Sequence, residues 1–331
     1  MNKKLLLLTS LGLVGAALTG CGKKDEEKEE QKDVKFSTLV EKVETYADDE
    51  LENYEISEYD SSDRLVKSSI YKQKTSNETE FYCKYTEEFS YTSEGFLSKM
   101  ERKFYLESGE LRESEHDLEE YKDYDSHGNP GKIIETSTED GTTTVGTTTF
   151  AYEYVEGKDL IAKKTETKVE SGEMDRETYT YDEKGRETKV EYDHSDDSVG
   201  PFEHEKYMTY QYLGDTDLVT EWREYDFGSG EFYDAMSQIN IYDSQQRVLS
   251  AERRMNGELY ETSVFDYSNG KSTEITTSYD SDGYPNSYSV DIIEFDSFGR
   301  EVSNALYMYL ENPYDFSNAF CYKEVTYYKN V

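Results

Sequence analysis

The stretch Thr178-Tyr179-Thr180-Tyr181-Asp182-Glu183-Lys184-Gly185-Arg186 decides the fold. Tyr179 and Tyr181 project to one side of an extended chain, and Thr178 and Thr180 to the other. That period of two, in aromatic and β-branched residues, is a half-buried strand. Asp182 opens a turn, because its carboxylate can accept a hydrogen bond from a backbone N–H two residues on. Gly185, at the fourth turn position, can take positive φ and reverse the chain with a bulge. Beyond Arg186, Val190 and Tyr192 alternate with Lys189 and Glu191, so a second strand returns. The unit is an antiparallel hairpin with one aromatic face and one wet face.

The unit recurs. Tyr59-Asp60-Ser61-Ser62-Asp63-Arg64, Tyr124-Asp125-Ser126-His127-Gly128-Asn129, Tyr242-Asp243-Ser244-Gln245-Gln246-Arg247 and Phe295-Asp296-Ser297-Phe298-Gly299-Arg300 are clear copies. Looser ones begin at Tyr91, Tyr154, Tyr212 and Tyr267, and neighbouring anchors lie 25 to 33 residues apart. Recurrence at such a spacing marks a repeat array. A second set of turns lies between: Glu107-Ser108-Gly109-Glu110, Glu139-Asp140-Gly141-Thr142, Glu170-Ser171-Gly172-Glu173 and Met255-Asn256-Gly257-Glu258. Asn256-Gly257 is the preferred pair for a type I′ hairpin. Nine units predict roughly eighteen strands, and an open sheet rarely exceeds about ten without curling or splitting. The expected fold is all-β: an antiparallel meander of repeated β-hairpins, coiled as an open shell, a spiral or a partly closed barrel. One segment departs from the pattern. Phe36, Leu39, Val40, Val43 and Ala47 fall at helical spacing, and Thr38 with Glu41 fits a capping box. A short helix over 37–47, or a first strand at Val43–Tyr46, is expected there.

The Tyr-Asp-x-x-Gly-Arg units resemble the YD repeats, also called Rhs repeats, of bacterial surface proteins and toxin shells. The resemblance spans residues 50–331 and implies hairpins wound into a hollow β-shell. The spacing here is longer than that family's usual twenty-odd residues, and Asp63 and Gln246 stand where Gly is usual. Architecture is therefore carried over, and toxin delivery is not.

The N-terminus reads as an address. Asn2-Lys3-Lys4 is a short positive region, Leu5 to Leu18 is mostly apolar, and Leu18-Thr19-Gly20-Cys21 follows. Charge, a short apolar run and small residues before a cut describe a secretory signal, too short for an ordinary transmembrane helix. The closing tetrad resembles the bacterial lipoprotein box. That resemblance implies cleavage before Cys21 and a diacylglycerol on its thiol. The expected organisation is a signal peptide over 1–20, a lipidated Cys21 with a charged tether over 21–35, and a repeat domain over 36–331 with about nine units. The tether, Lys23 to Asp33, can bury nothing and reads as a solvated spacer. The implied location is the bacterial envelope, at the outer face of the cytoplasmic membrane or in the outer membrane. The membrane is then one partner, through the lipid.

Composition narrows function. In 331 residues, 73 acids face 36 Lys and Arg, a net charge of −37. Such a surface repels nucleic acids and anionic head groups, which excludes nucleic acid as a partner. Yet Tyr occurs 32 times, far too often for a disordered chain. His116, His127, His194 and His204 form no His-x-x-x-His pair, and there is no Cys-x-x-Cys, so zinc has no support. Asp123-Tyr124-Asp125-Ser126-His127-Gly128 opens like a calcium loop, but Ile134 stands where a bidentate Glu belongs. Asp193, Asp196 and Asp197, and Asp280 with Asp282, are further acidic clusters. They leave room for weak calcium binding, although Asp side chains serving turns are expected. No other cofactor is expected. Cys83 and Cys321 are expected to be unpaired buried thiols, since only head-to-tail closure would bring them together. No nucleophile elbow, phosphate loop or dinucleotide fingerprint occurs, so no catalytic residue is assigned. The reading is a surface lipoprotein with a non-enzymatic binding or structural module, contacting a glycan or protein. Its rival is a secreted hydrolase with carboxylates inside the shell.

Overall fold

The computed structural model describes residues 39–316 and 319–328. The signal at 1–20, Cys21 and the tether at 21–35 lie outside the described residues. Twenty strands follow in order: β1 (Val40–Ala47), β2 (Glu50–Tyr59), β3 (Leu65–Lys74), β4 (Asn77–Tyr91), β5 (Leu97–Tyr105), β6 (Leu111–Lys122), β7 (Lys132–Glu139), β8 (Thr142–Tyr154), β9 (Ile161–Lys168), β10 (Met174–Tyr181), β11 (Glu187–Ser195), β12 (Glu203–Tyr212), β13 (Val219–Gly228), β14 (Glu231–Tyr242), β15 (Val248–Met255), β16 (Glu258–Ser268), β17 (Lys271–Tyr279), β18 (Pro285–Phe295), β19 (Glu301–Leu310) and β20 (Phe320–Tyr328). Each pairs antiparallel with its neighbours in sequence, and β1 pairs with β20 from Val40↔Tyr328 to Ala47↔Tyr322. The meander is a closed barrel, which corrects the open shell, spiral or partly closed barrel expected from sequence.

Closure also explains why 40–47 is a strand, the second of the two readings of that segment, and not the helix. An unclosed sheet would leave rows of unpaired N–H and C=O on β2 and β20. Val40–Ala47 satisfies both edges at once, pairing Val43 with Glu55 of β2 and with Thr326 of β20. A helix would satisfy neither edge, and Val40, Val43 and Thr45 are good strand formers.

Bulges repeat where the chain leaves seven of the nine turns that follow even-numbered strands. Register shifts fall at Glu58/Tyr59, Ser90/Tyr91, Glu153/Tyr154, Thr180/Tyr181, Gln211/Tyr212, Ile241/Tyr242 and Glu294/Phe295. A bulge bends its strand and raises local twist. Repeated along one rim, it supplies the curvature that closure needs.

Strand pairing carries two faces consistently round the barrel. Exposed mid-strand residues (Glu58, Ser90, Val145, Ala151, Glu153, Gln211, Ile241, Val264 and Asp266) share one face, which is therefore the outer wall. Tyr85, Arg102, Tyr121, Tyr152, Tyr179, Tyr192, Tyr210, Trp222 and Tyr322 share the other and point inward. A twenty-strand barrel is in the size range whose interior side chains do not fill. Among the described residues only Met100, Val190, Ala251, Val290, Ala305 and Leu310 are buried apolar side chains. The wall is one layer thick. Tyr288, Val290 and Ile292 lie on the outer face. Val290 is 1% exposed, in the patch where Phe316 of the β19–β20 loop packs on Tyr307, 4.6 Å between ring centres. Tyr307 sits directly opposite Val290. Cys83 on β4 and Cys321 on β20 are unpaired and half-buried, not fully buried as expected.

Thr45 and Glu324 lie directly opposite each other across the β1–β20 seam. Thr45→Cys with Glu324→Cys, in a chain whose other cysteines are Ser, is expected to oxidise to an intramolecular disulfide. The loop it closes is long, so stability should rise by about 2–4 kcal/mol. Mass spectrometry and oxidised against reduced melting curves read this. Two free thiols after mild oxidation would mean an open seam.

Candidate functional site

Two sets of side chains hold most of the chemistry. The first is a ladder on the rim that bears the chain ends. In the Asp182 turn, Asp182 Oδ1 accepts the N–H of Lys184 (2.8 Å) and of Arg186 (3.0 Å), and Oδ2 accepts Arg186 Nε (2.7 Å). Asp60, Asp243 and Asp296 repeat this with Arg64, Arg247 and Arg300. These contacts hold all four carboxyls below their ordinary range. Each Arg guanidinium lies over an aromatic ring one unit on: Arg64 over Tyr91, Arg186 over Tyr212, Arg247 over Tyr267 and Arg300 over Tyr328, at 4.3 to 4.6 Å from the ring centre.

Those tyrosines then reach back. Tyr91 donates to Leu65 O (2.7 Å), Tyr181 to Ile161 O (2.8 Å), Tyr212 to Glu187 O (2.6 Å), Tyr242 to Val219 O (2.7 Å) and Tyr328 to Glu301 O (2.7 Å). Tyr124 donates to Leu97 O. Every acceptor is the first residue of the neighbouring odd-numbered strand. Tyr59 donates to Val40 O at 2.8 Å, which carries the ladder across the seam. Tyr328 is thus a tenth anchor, missed in the sequence because Lys329 follows it where the motif has Asp.

The variants keep the stacking. In the Tyr124 turn, Asp125 Oδ1 accepts the N–H of His127 and Asn129, both at 2.9 Å, and His127 stacks on Tyr154 at 3.9 Å. Asp125 is thereby engaged by its own turn. Asp280, on the opposite rim, accepts Asp282 N and Tyr284 N in the same manner. Tyr279-Asp280-Ser281-Asp282-Gly283 is a further copy of the motif that the sequence reading took as an acidic cluster. Tyr267 instead precedes a two-residue turn at Asn269-Gly270. Asn256 and Gly257 form the opposite-rim hairpin, with φ of 52° and 80°. Gly128, Gly185 and Gly299 have φ of 86°, 85° and 78°, and Asp63 and Gln246 take 59° and 64° at the equivalent place. Among the described residues no group of three or more potential ligands is placed to hold a metal ion.

The second set is the inner face. Burial pushes Tyr152 and Tyr210 up to about 12 and raises Tyr85, Tyr121, Tyr179 and Tyr192 as well. Arg102 pairs with Glu87 (Nε–Oε1 2.9 Å), Lys206 with Glu224 (3.2 Å) and Lys164 with Glu177 (3.3 Å). Asp291 stands apart. Its Oδ1 is buried without a partner, Glu274 lies directly opposite, and burial pushes its pKa up to about 6. Nearby Asn304 Oδ1 is also buried and unpartnered. Glu187 and Glu301 are raised by burial too. So the concave face is both aromatic and acidic, the environment that the hydrolase reading requires.

Two outcomes follow. Gly185→Val should cost about 1 kcal/mol or more, since a β-branched residue resists positive φ and its Cβ would meet Leu160 at 3.3 Å. Gln246→Gly should be neutral or stabilising, and urea unfolding of both variants would show the opposite order if the turns were not equivalent. Asp291 titrates near 3.8 when unfolded and near 6 when folded. Between those values the folded chain holds the extra proton, so its stability falls as pH rises. Asp291→Asn should therefore stabilise at pH 7 by about 1 kcal/mol, less than its displaced pKa implies because solvent still reaches the carboxylate. It should also flatten the stability profile between about pH 4 and 6. An unchanged slope in that window would count against the burial assigned to Asp291.

No family model and no curated protein sequence matches the chain. Among solved structures, a porin-like protein from Bacteroides uniformis is similar at TM-score 0.35 and 14% identity, over 88% of this chain and 98% of that one. A TcdB2-TccC3-TEV structure is similar at TM-score 0.25 and 13% identity, over 84% of this chain and 16% of that one. Both scores are too low to carry the fold, which rests on the chain's own strand pairing.

Proposed function

We propose that the chain is an exported, lipid-anchored envelope protein whose β-barrel body is a non-enzymatic binding or structural module. The observation that carries this reading is repetition. The ordered polar groups, Asp with Arg and Tyr with a strand-end carbonyl, recur rung by rung as parts of the fold. An active site is ordinarily one non-repeating constellation.

The outer wall bears on where the barrel sits. A barrel that spans a bilayer needs an outward apolar band about 25 Å tall. Here the wall carries ion pairs around its circumference: Lys42–Glu44 (2.6 Å), Lys99–Glu101 (2.7 Å), Lys163–Glu153 (2.7 Å), Lys189–Glu191 (2.7 Å), Arg223–Glu221 (2.5 Å) and Arg254–Glu252 (2.5 Å). Each would be costly in hydrocarbon. The body stands in water, and attachment falls to the lipid on Cys21. Strands β1 and β20 have their free ends, Val40 and Tyr328, on the ladder rim.

The inner face favours one second reading. Asp291, with a raised pKa beside Glu274, has the form of a general acid next to a carboxylate, so a hydrolase acting inside the barrel remains the rival.

Cys21→Ala should abolish uptake of labelled fatty acid in a bacterial host, with the chain released or left as an uncleaved precursor. Wild-type protein without label would refute the anchor. In parallel, the purified chain should turn over no member of a glycoside, peptide and ester panel. Robust turnover lost in Asp291→Asn, with folding intact, would establish the hydrolase.

A further inference from the structure

The two rims of the barrel are unlike. The nine turns on the ladder rim contain thirteen Asp and Glu and six Lys and Arg. Four of those acids are clamped by the Arg of their own turn. The ten turns on the opposite rim also contain thirteen acids, but no Lys or Arg. Asp48, Asp49, Glu107, Glu110, Asp140, Glu170, Glu173, Asp196, Asp197, Asp280, Asp282, Glu311 and Asp315 encircle the mouth. That is a negative ring with no cation in its own turns, and the one Lys among the described residues that reaches it, Lys168 at the end of β9, meets only Glu173 (3.0 Å).

The same rim is fringed with apolar groups. Val199 is 92% exposed, Tyr314 79% and Tyr284 69%. Val169, Phe232, Tyr233 and Met255 are exposed beside them. Val199, Tyr284 and Tyr314 take no part in the rungs, which lie at the other end. Exposed apolar clusters rimmed by charge are typical of interaction surfaces.

We infer that this free rim is a docking surface for a basic protein whose contact face combines Lys or Arg with apolar side chains. Charge complementarity selects the class. An anionic glycan or nucleic acid is repelled by the ring, and a neutral glycan gains nothing from its negative field. A cationic partner meets the acids at the edge while the aromatic and aliphatic tips lose water.

The test uses the full chain solubilised in neutral detergent, so it does not depend on whether anchoring succeeds in cells. Three probes are compared by anisotropy: a peptide of interleaved Lys and Trp, a Lys-only counterpart, and a counterpart with Glu for Lys. The first should bind, the second more weakly, and the third not at all. The variant Glu110→Gln, Asp196→Asn, Asp282→Asn, Glu311→Gln should weaken the Lys and Trp peptide about tenfold or more. The same charge change on the ladder rim, Glu94→Gln, Glu156→Gln, Glu183→Gln, Asp217→Asn, should weaken it less than about threefold. Val199→Ser, Tyr284→Ser, Tyr314→Ser should remove most of the binding that survives at about 1 M salt, where the screening length is about 3 Å. Melting curves check that each variant is folded. Equal loss from both charge variants would reduce the effect to diffuse net charge and overturn the proposal. So would tighter binding of the Lys-only peptide, or a neutral glycan that alone depends on the free rim.

Discussion

A β-sheet has two edges, and each edge leaves a row of backbone donors and acceptors unpaired. For this chain that constraint governs the rest. Its strands carry too few large apolar residues to cover an edge with a second layer, so the one remaining solution is to join the edges. The β1–β20 seam does so over the full length of β1. Tyr59 and Tyr328 extend the same rung chemistry to either side of the break. Strands β1 and β20 thus pair as neighbours in sequence do.

Closure without a core shifts the sources of stability. With six buried apolar side chains among the described residues, area removed from water cannot be concentrated in one place. It is spread over cross-strand pairs such as Tyr54–Tyr71 and Tyr207–Tyr225, stacked at 4.7 and 4.6 Å, each worth a fraction of a kcal/mol to about 1 kcal/mol. The rungs add hydrogen bonds to strand-end carbonyls that would otherwise face the rim unpaired. Small residues such as Ser68, Ser263 and Ala251 are buried because longer neighbours roof them over. They do not assemble into an apolar centre.

The hairpin unit was legible because its signals are local. Asp182, Gly185 and the alternation of Tyr179 with Thr180 act within one turn of chain, and so the all-β meander could be read directly. Asp280 serves its turn as expected of the acidic clusters, but Tyr279-Asp280 was not recognised as a copy of the motif because the motif had been tied to one spacing, whereas the turn chemistry works equally on the other rim. The 40–47 segment was ambiguous for a different reason. Its apolar spacing fits a helix, and what makes it a strand is a partner near the other end of the chain. The stack of Arg on the next unit's Tyr had a visible signal, Arg at the fifth turn position with Tyr one unit later. Which face turns inward had none, because alternation fixes two faces and leaves open which becomes concave.

That choice of face also distributes the excess acid. On the outer wall, Glu44, Glu101, Glu153, Glu191, Glu221 and Glu252 each sit beside a Lys or Arg. Lys99 with His116 and Lys103 draws Glu101 down to about 2. On the inner face the acids Glu187, Asp291 and Glu301 are raised by burial and by like-charged neighbours. Carboxylates of one kind are thus pushed in opposite directions by which side of a single layer they occupy. An acid-lined interior disfavours anions and favours cations or neutral solutes. The far rim bears the same sign with no compensating cation in its turns. Interior and far rim therefore present one continuous negative field, weaker at the ladder rim, where six cations offset part of thirteen acids. Any partner of this barrel meets that field first, and its charge is screened least where the wall excludes water.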